Sequence, residues 1–182
     1  ELTYIVDLLK TSDLKKNLLV FELNSKKKII LVSIKKNIES YDIENLGGEF
    51  YGCINYGKNS EYYISTSTVI IQYKDFIGHF LHGIKLKSYK FDKYKTKKEK
   101  RIISINIIDN KNNLSIKNRA KFKSIEEGTF YARDLVSEPG NILHPDEYAK
   151  RVKSLKKFGL KINIYDEKQL KKLGMNAILG VG

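Results

Sequence analysis

The chain contains few residues that impose covalent or rigid constraints: one cysteine and two prolines in 182 residues. A single thiol cannot form an internal disulfide, which is typical of a protein kept in a reducing compartment. Because no motif indicates a base beside Cys53, we expect it to be a small core residue rather than a nucleophile. The scarcity of proline and the lack of a long Gly/Ser tract argue against a flexible linker between domains.

Long apolar runs are also missing. No stretch of about 18 apolar residues occurs, so the sequence predicts no membrane-spanning helix. Residues 1–7 lack the basic start and the small-residue cleavage site of a signal peptide. The sequence therefore predicts a cytoplasmic protein without a membrane partner.

Arginine is scarce although the chain is strongly basic. Lysine and arginine total 34 against 21 acidic residues, for a net charge of +13, and only four of the 34 are arginine. Such a balance can steer a protein to nucleic acid or to anionic membranes. The chain is also rich in isoleucine and asparagine, and an A/T-rich genome would produce this joint bias without selection for binding. We favour the second interpretation.

The composition is that of a globular protein. Hydrophobic residues make up 41% of the chain and aromatic residues 11%. The length allows one complete core together with the first elements of a second. Apolar stretches, two of them flanking an Asn-Ser-Lys-Lys turn, predict strands. These strands are expected at residues 4–9, 18–23, 29–34, 62–65 and 101–108.

Two helices are predicted among these strands, over residues 46–56 and 68–86. Each has apolar residues at spacings of three and four, and Ser67 is the expected N-cap of the second. Gly47 and two further glycines oppose the first helix by about 1 kcal/mol each. Strands that alternate with helices predict an α/β domain with a mixed sheet over residues 1–118.

A connecting helix is predicted over residues 119–138, because the ring of Pro139 would clash with its continuation. Its expected buried stripe consists of Phe122, Ile125, Thr129, Ala132 and Val136.

Residues 139–182 are predicted to alternate helix, strand, helix and strand, which is the beginning of a parallel α/β unit. The first helix starts at His144-Pro145, and Asp166 with Gln169 forms a capping box for the second. The strands are placed at 160–165 and 177–181. One such unit leaves sheet edges and apolar surface uncovered, so it is not expected to form a complete domain.

Two groups of residues are candidates for binding. Residues 85–101 hold nine basic and two acidic residues with three aromatic residues among them, which is a candidate nucleic-acid surface with Lys93, Lys95, Lys97 and Lys98 as contacts. The alternative, which we favour, is an exposed connector whose aromatic residues fix it to the core. His79 and His82 have a spacing that can place two imidazoles on one metal, but no third ligand is evident nearby.

Three runs of sequence resemble the leucyl aminopeptidase (cytosol aminopeptidase) family. Residues 132–149 read ARDLVSEPGNILHPDEYA, and residues 173–182 read LGMNAILGVG. They are similar to the passage from the helix that joins the family's two domains into the catalytic domain. Residues 83–96, GIKLKSYKFDKYKT, resemble the end of its N-terminal domain. Residues 33–36 read SIKK where many members carry a Gly-Leu-Gly turn.

The resemblance implies a hexameric peptidase that uses two metal ions, zinc or manganese, to remove N-terminal residues from peptides. It implies that residues 1–118 form a non-catalytic, macro-domain-like domain with a role in assembly, and that residues 139–182 begin the catalytic domain. The family's metal ligands lie beyond the equivalent of Gly182. We therefore assign no catalytic or metal-ligating residue here, and we expect these 182 residues alone to be inactive.

Overall fold

The computed structural model describes residues 2–12, 16–24, 27–56, 60–67, 75–97, 101–108 and 116–181. Its contacts divide the chain into two compact units, Glu1–Phe130 (unit 1) and Tyr131–Gly182 (unit 2), and the division falls within a long helix. The predicted boundaries at residues 118 and 138 stay predictions. The helices and strands, in chain order, are α1 (Leu2–Thr11), β1 (Leu18–Glu22), β2 (Lys28–Val32), α2 (Ser40–Ile54), β3 (Glu61–Ser65), α3 (Phe76–Lys87), β4 (Ser104–Ile108), α4 (Ile116–Ser137), α5 (Pro145–Lys153), α6 (Glu167–Lys172) and α7 (Asn176–Leu179).

Unit 1 has the predicted α/β character, with both parallel and antiparallel strand pairs. β1 and β2 form an antiparallel hairpin in which Val20 lies opposite Ile30. β3 and β4 pair in parallel, with Tyr62 opposite Ile105. The mixed pairing is confirmed, but among the described residues it is divided between two two-stranded sheets rather than gathered in one.

The core of unit 1 lies between α2 and α3. Ile43 and Ile54 of α2 are fully buried, and the rings of Phe50 and Phe80 lie 5.5 Å apart between the two helices. Half-buried side chains of all four strands pack against this cluster. The predicted helix over 46–56 is thereby confirmed and begins earlier, where Glu39 and Asp42 form a reciprocal cap.

Glycine brings the two helices close together. A Cβ at Gly47 would lie 2.1 Å from the carbonyl oxygen of Phe80, and a Cβ at Gly83 would lie 1.9 Å from that of Glu44. Any larger residue at either position would push the helices apart. The glycines that oppose helix formation locally are therefore required by the packing of α2 on α3.

Two predictions for unit 1 are wrong. Residues 4–9 belong to helix α1 rather than to a strand, because Ile5, Leu8 and Leu9 recur at helical spacing and are the half-buried residues there. Ser67 is not the N-cap of α3, which begins at Phe76 after Asp75, a residue with φ 65°. Residues 68–74 of the predicted helix lie outside the described residues.

Helix α4 ends at Ser137, before Pro139, as predicted. Its predicted buried stripe is wrong for most members. Phe122 is 8% exposed, whereas Ile125 is 43% and Val136 87% exposed. The half-buried positions follow a neighbouring line on the helix, one that includes Glu126 and Arg133.

The helix starts predicted for unit 2 are confirmed. Pro145 occupies the first turn of α5, and Asp166 and Gln169 form the capping box of α6. Gly159 and Gly174 have φ angles of 84° and 70°, the left-handed conformation that ends a helix. A short 3₁₀ turn, Ser154–Phe158, follows α5.

The two strands predicted for unit 2 are wrong. Residues 160–165 form no ladder, and α7 takes most of the place of the strand at 177–181. A strand needs a neighbour to satisfy its backbone N–H and C=O groups, and the described part of unit 2 contains no other strand.

Candidate functional site

Three aromatic rings meet where α4 packs on α3. The ring of Phe122 lies 5.0 Å from the His79 ring, edge to face, and 5.4 Å from the His82 ring. His79 Nδ1 is 2.8 Å from Oε1 of Glu44 on α2, and His82 Nδ1 is 3.4 Å from Oε1 of Glu126 on α4. His82 is only 4% exposed. Each histidine therefore joins α3 to a carboxylate of another helix.

This arrangement does not fit a metal centre. The two imidazoles are hydrogen-bonded to separate carboxylates, and Phe122 packs against both rings. Within the described ranges, no three His, Cys, Asp or Glu side chains come together in a group that could hold a metal ion. The neighbouring carboxylates of Glu126 and Glu127 do not form a pair, since Glu126 contacts His82 and Glu127 contacts Lys123. The cluster is thus a packing and hydrogen-bonding contact between helices.

The basic segment, residues 85–101, begins in the last turn of α3 and continues beyond it. Lys93, Lys95 and Lys97 are exposed, whereas Lys98 lies outside the described residues. Lys93 Nζ lies 5.4 Å from the centre of the Tyr94 ring. The described lysines of this segment therefore lie at the surface of unit 1, next to an aromatic ring.

Aromatic packing and one arginine fix both ends of this segment. Tyr89 packs on Phe130 of α4, with ring centres 5.2 Å apart. Arg101 Nη2 donates to the carbonyl oxygen of Ile54 at 3.1 Å, and Nη1 donates to that of Asn55. A guanidinium is favourable there because the end of α2 presents unpaired carbonyl groups. Of the three aromatic residues expected to fix a connector to the core, Tyr89 packs on α4, whereas Phe91 and Tyr94 pack on each other.

Cys53 is half-buried on α2 rather than part of the core. It borders a shallow depression whose other lining residues are Lys16, Asn17, Leu18, Glu49 and Gly52. No histidine lines this depression, so the geometry indicates no catalytic base for the thiol.

A network of ionic hydrogen bonds joins the end of α4 to α5 in unit 2. Arg151 Nε donates to Glu147 Oε1 at 2.9 Å, and Nη1 donates to Glu138 Oε1 at 3.0 Å. The hydrogen bond from Arg151 lowers the pKa of Glu147, and the bonds to Glu147 and then Glu138 raise the pKa of Arg151. The side chain of Glu138 is 2% exposed. The Glu147–Arg151 spacing of four could have been predicted from the sequence, but the contact with Glu138 has no local signal.

Unit 2 buries little of its apolar surface. The helices α5, α6 and α7 contain no buried residue. Large apolar side chains of unit 2 that are at least half exposed include Val136, Phe158, Leu160, Tyr165, Leu173, Ile178 and Val181.

The comparisons with known proteins match both units. Residues 130–182 match the family model described as the cytosol aminopeptidase family, catalytic domain. A "probable cytosol aminopeptidase" of Nitrobacter winogradskyi is 34% identical over 166 residues, which are 85% of this chain and 32% of that protein. The chain belongs to the cytosol aminopeptidase family. It spans about a third of the length of this curated relative.

Solved structures support the same fold. A mutant of tomato leucine aminopeptidase aligns with 94% of the chain and 37% of its own length, at a TM-score of 0.71 and 18% identity. The bottromycin maturation enzyme BotP in complex with Mn aligns with 91% of the chain and 36% of its own length, at a TM-score of 0.64 and 15% identity. The aminopeptidase fold therefore extends over both units.

The catalytic-domain match and the division of the structure coincide. The family model begins at residue 130, and contacts separate the two units between Phe130 and Tyr131.

Across the part of the chain that the structure describes, no helix combines the length and apolar character needed to cross a membrane.

Proposed function

We propose that these 182 residues form the non-catalytic N-terminal domain and the first elements of the catalytic domain of a metal-dependent aminopeptidase. The main support for the proposal is that the catalytic-domain match starts at residue 130, where the division between the two units also falls. The whole protein would remove N-terminal residues from peptides. The residues that bind its metal ions would lie outside these 182.

The chemistry of unit 1 supports this assignment. Its two neighbouring histidines, His79 and His82, are both engaged with carboxylates from other helices and pack on one phenylalanine ring. A two-metal peptidase needs several ligands around each ion, and it uses the pair to activate water and polarise the scissile carbonyl. The role proposed for unit 1 is therefore structural.

Several properties of the whole protein form part of the proposal. The metal ions would be zinc or manganese, and a structural neighbour in complex with Mn supports the second. A cytoplasmic location is supported by the name of the Nitrobacter relative. We also propose a homo-oligomer, a hexamer in the whole protein, in which unit 1 contributes to assembly. Light scattering of the whole protein that finds only monomers would contradict this assembly.

Peptidase assays test the proposal. The purified 182-residue chain, incubated with Mn²⁺ or Zn²⁺, is expected to release leucine from leucine p-nitroanilide no faster than the metal salt alone, because no catalytic ligand set is provided. The full-length Nitrobacter relative serves as the positive control, and circular dichroism checks that the chain is folded. Hydrolysis by the 182-residue chain that a chelator abolishes would contradict the proposal.

A further inference from the structure

Basic charge is concentrated in one segment of unit 1. Residues 85–101 hold nine basic residues in 17, against 34 in 182 for the whole chain, and their net charge of +7 is more than half of the total of +13. Residues 150–161 of unit 2 are similarly rich, with six basic residues in 12, but no other stretch of this length in unit 1 holds as many. The concentration therefore needs a local explanation.

The part of the segment from residue 89 onward is anchored to the rest of unit 1 by Tyr89 and Arg101. Tyr89 packs on α4 through Phe130, and Arg101 caps the C-terminal end of α2. Between these anchors, residues 89–97 form neither a helix nor a strand. The backbone there can follow an extended ligand without breaking a regular element.

The charges between the anchors are exposed. Lys93, Lys95 and Lys97 lie at the surface, and neither Lys95 nor Lys97 forms an ion pair with a carboxylate of the described residues. A polyanion that binds such lysines releases its condensed counterions, which supplies affinity in proportion to the number of phosphates contacted.

An aromatic ring lies among these lysines. Tyr94 is 50% exposed, with Phe91 against it at 5.8 Å and the ammonium of Lys93 at 5.4 Å from its centre. An exposed ring beside cations is the combination that binds unpaired bases, because every base has a face that can stack. Arginine, which reads base edges in duplex DNA, is nearly absent from the segment.

We infer that residues 89–97 bind single-stranded nucleic acid, with Lys93, Lys95 and Lys97 on the phosphates and a base stacked on Tyr94. Nucleic acid is favoured over an anionic lipid surface because residues 89–97 do not form an amphipathic helix, the element that typically holds a protein on such a surface. This binding is independent of the proposed peptidase role.

Fluorescence anisotropy with a labelled oligo-dT tests the role of the lysines. Replacement of Lys93, Lys95 and Lys97 by glutamine is expected to weaken binding about tenfold at low salt, and to reduce the slope of log affinity against log salt by about 2. The matched control replaces Lys153, Lys156 and Lys161, which are exposed in unit 2, and removes the same charge. The control is expected to change affinity less than about twofold. Equal losses in the two variants would overturn the inference.

The tyrosine provides a second test. Tyr94→Ala is expected to weaken oligo-dT binding about fivefold or more, whereas Tyr94→Phe should retain it because the stacking face is kept. An unchanged affinity of Tyr94→Ala would contradict stacking. Sedimentation of the chain with phosphatidylglycerol vesicles, without any binding of oligo-dT, would overturn the inference in favour of a lipid surface.

Discussion

Gly47→Ala is expected to lower the free energy of unfolding of unit 1 by about 3 kcal/mol, because α2 and α3 leave no room for a methyl group at their contact. The new Cβ would lie 2.1 Å from the carbonyl oxygen of Phe80 and 3.1 Å from the amide nitrogen of Ile84. Both are backbone atoms within α3, so they cannot rotate away. The helices would have to separate, which would loosen the contact between Phe50 and Phe80 in the core.

Gly52→Ala is the matched control for this prediction. Gly52 lies on the same helix, and a Cβ there would meet nothing within 4 Å. The better helix propensity of alanine should therefore stabilise this variant by about 0.5–1 kcal/mol. Urea unfolding, with hydrogen exchange of α2 and α3 amides to assign the change to unit 1, measures both variants. Stabilisation by Gly47→Ala as well as by Gly52→Ala would show that no steric contact exists at Gly47.

Phe122→Ala is expected to destabilise the docking of α4 on α3 by about 3 kcal/mol, the lower part of the range for loss of a buried phenylalanine ring. Phe122 is the hydrophobic residue of α4 that the structure buries within its described part, and it fills the space between His79 and His82. Without the ring, the Glu126–His82 hydrogen bond would have less support. Faster amide exchange over residues 118–130 is the expected readout.

Ile125→Ala controls for the loss of a large apolar side chain from the same helix. Ile125 is 43% exposed, so its truncation is expected to cost less than about 1 kcal/mol. If both variants increased exchange equally, the packing of Phe122 between the histidines would not be what holds α4.

Much of unit 1 could be predicted because its strands and helices have local signals. The apolar stretches of β1 and β2 flank a polar turn, and the apolar residues of α2 recur at helical spacing. Gly47 shows the limit of this reasoning. Helix propensity alone predicts that Gly47 destabilises α2. The reason for a glycine at this position appears only when α3 is packed against it.

In unit 2 the predicted helix starts are correct, whereas the two predicted strands are wrong. Proline, glycine and the Asp166–Gln169 cap act on adjacent residues, so their effect can be inferred from the sequence. A strand depends on a partner elsewhere in the chain, and an apolar run such as 160–165 does not indicate whether one is present.

The histidine cluster could not have been predicted in full. The spacing of His79 and His82 is a local pattern that is compatible with a shared metal ion, but the sequence offers no third ligand nearby. Their actual partners, Glu44 and Glu126, lie 35 and 44 residues away in the sequence. Pairings over such distances are set by helix packing and leave no local signal.

Metal content shows most directly whether the residues that bind the metal ions lie outside these 182. The chain is incubated with excess Mn²⁺ or Zn²⁺, dialysed against metal-free buffer and analysed by inductively coupled plasma mass spectrometry, with the full-length Nitrobacter relative treated in parallel. Well below one retained ion per chain is expected for the 182 residues. Retention of two ions per chain, lost on substitution of histidine or carboxylate residues within the 182, would contradict it.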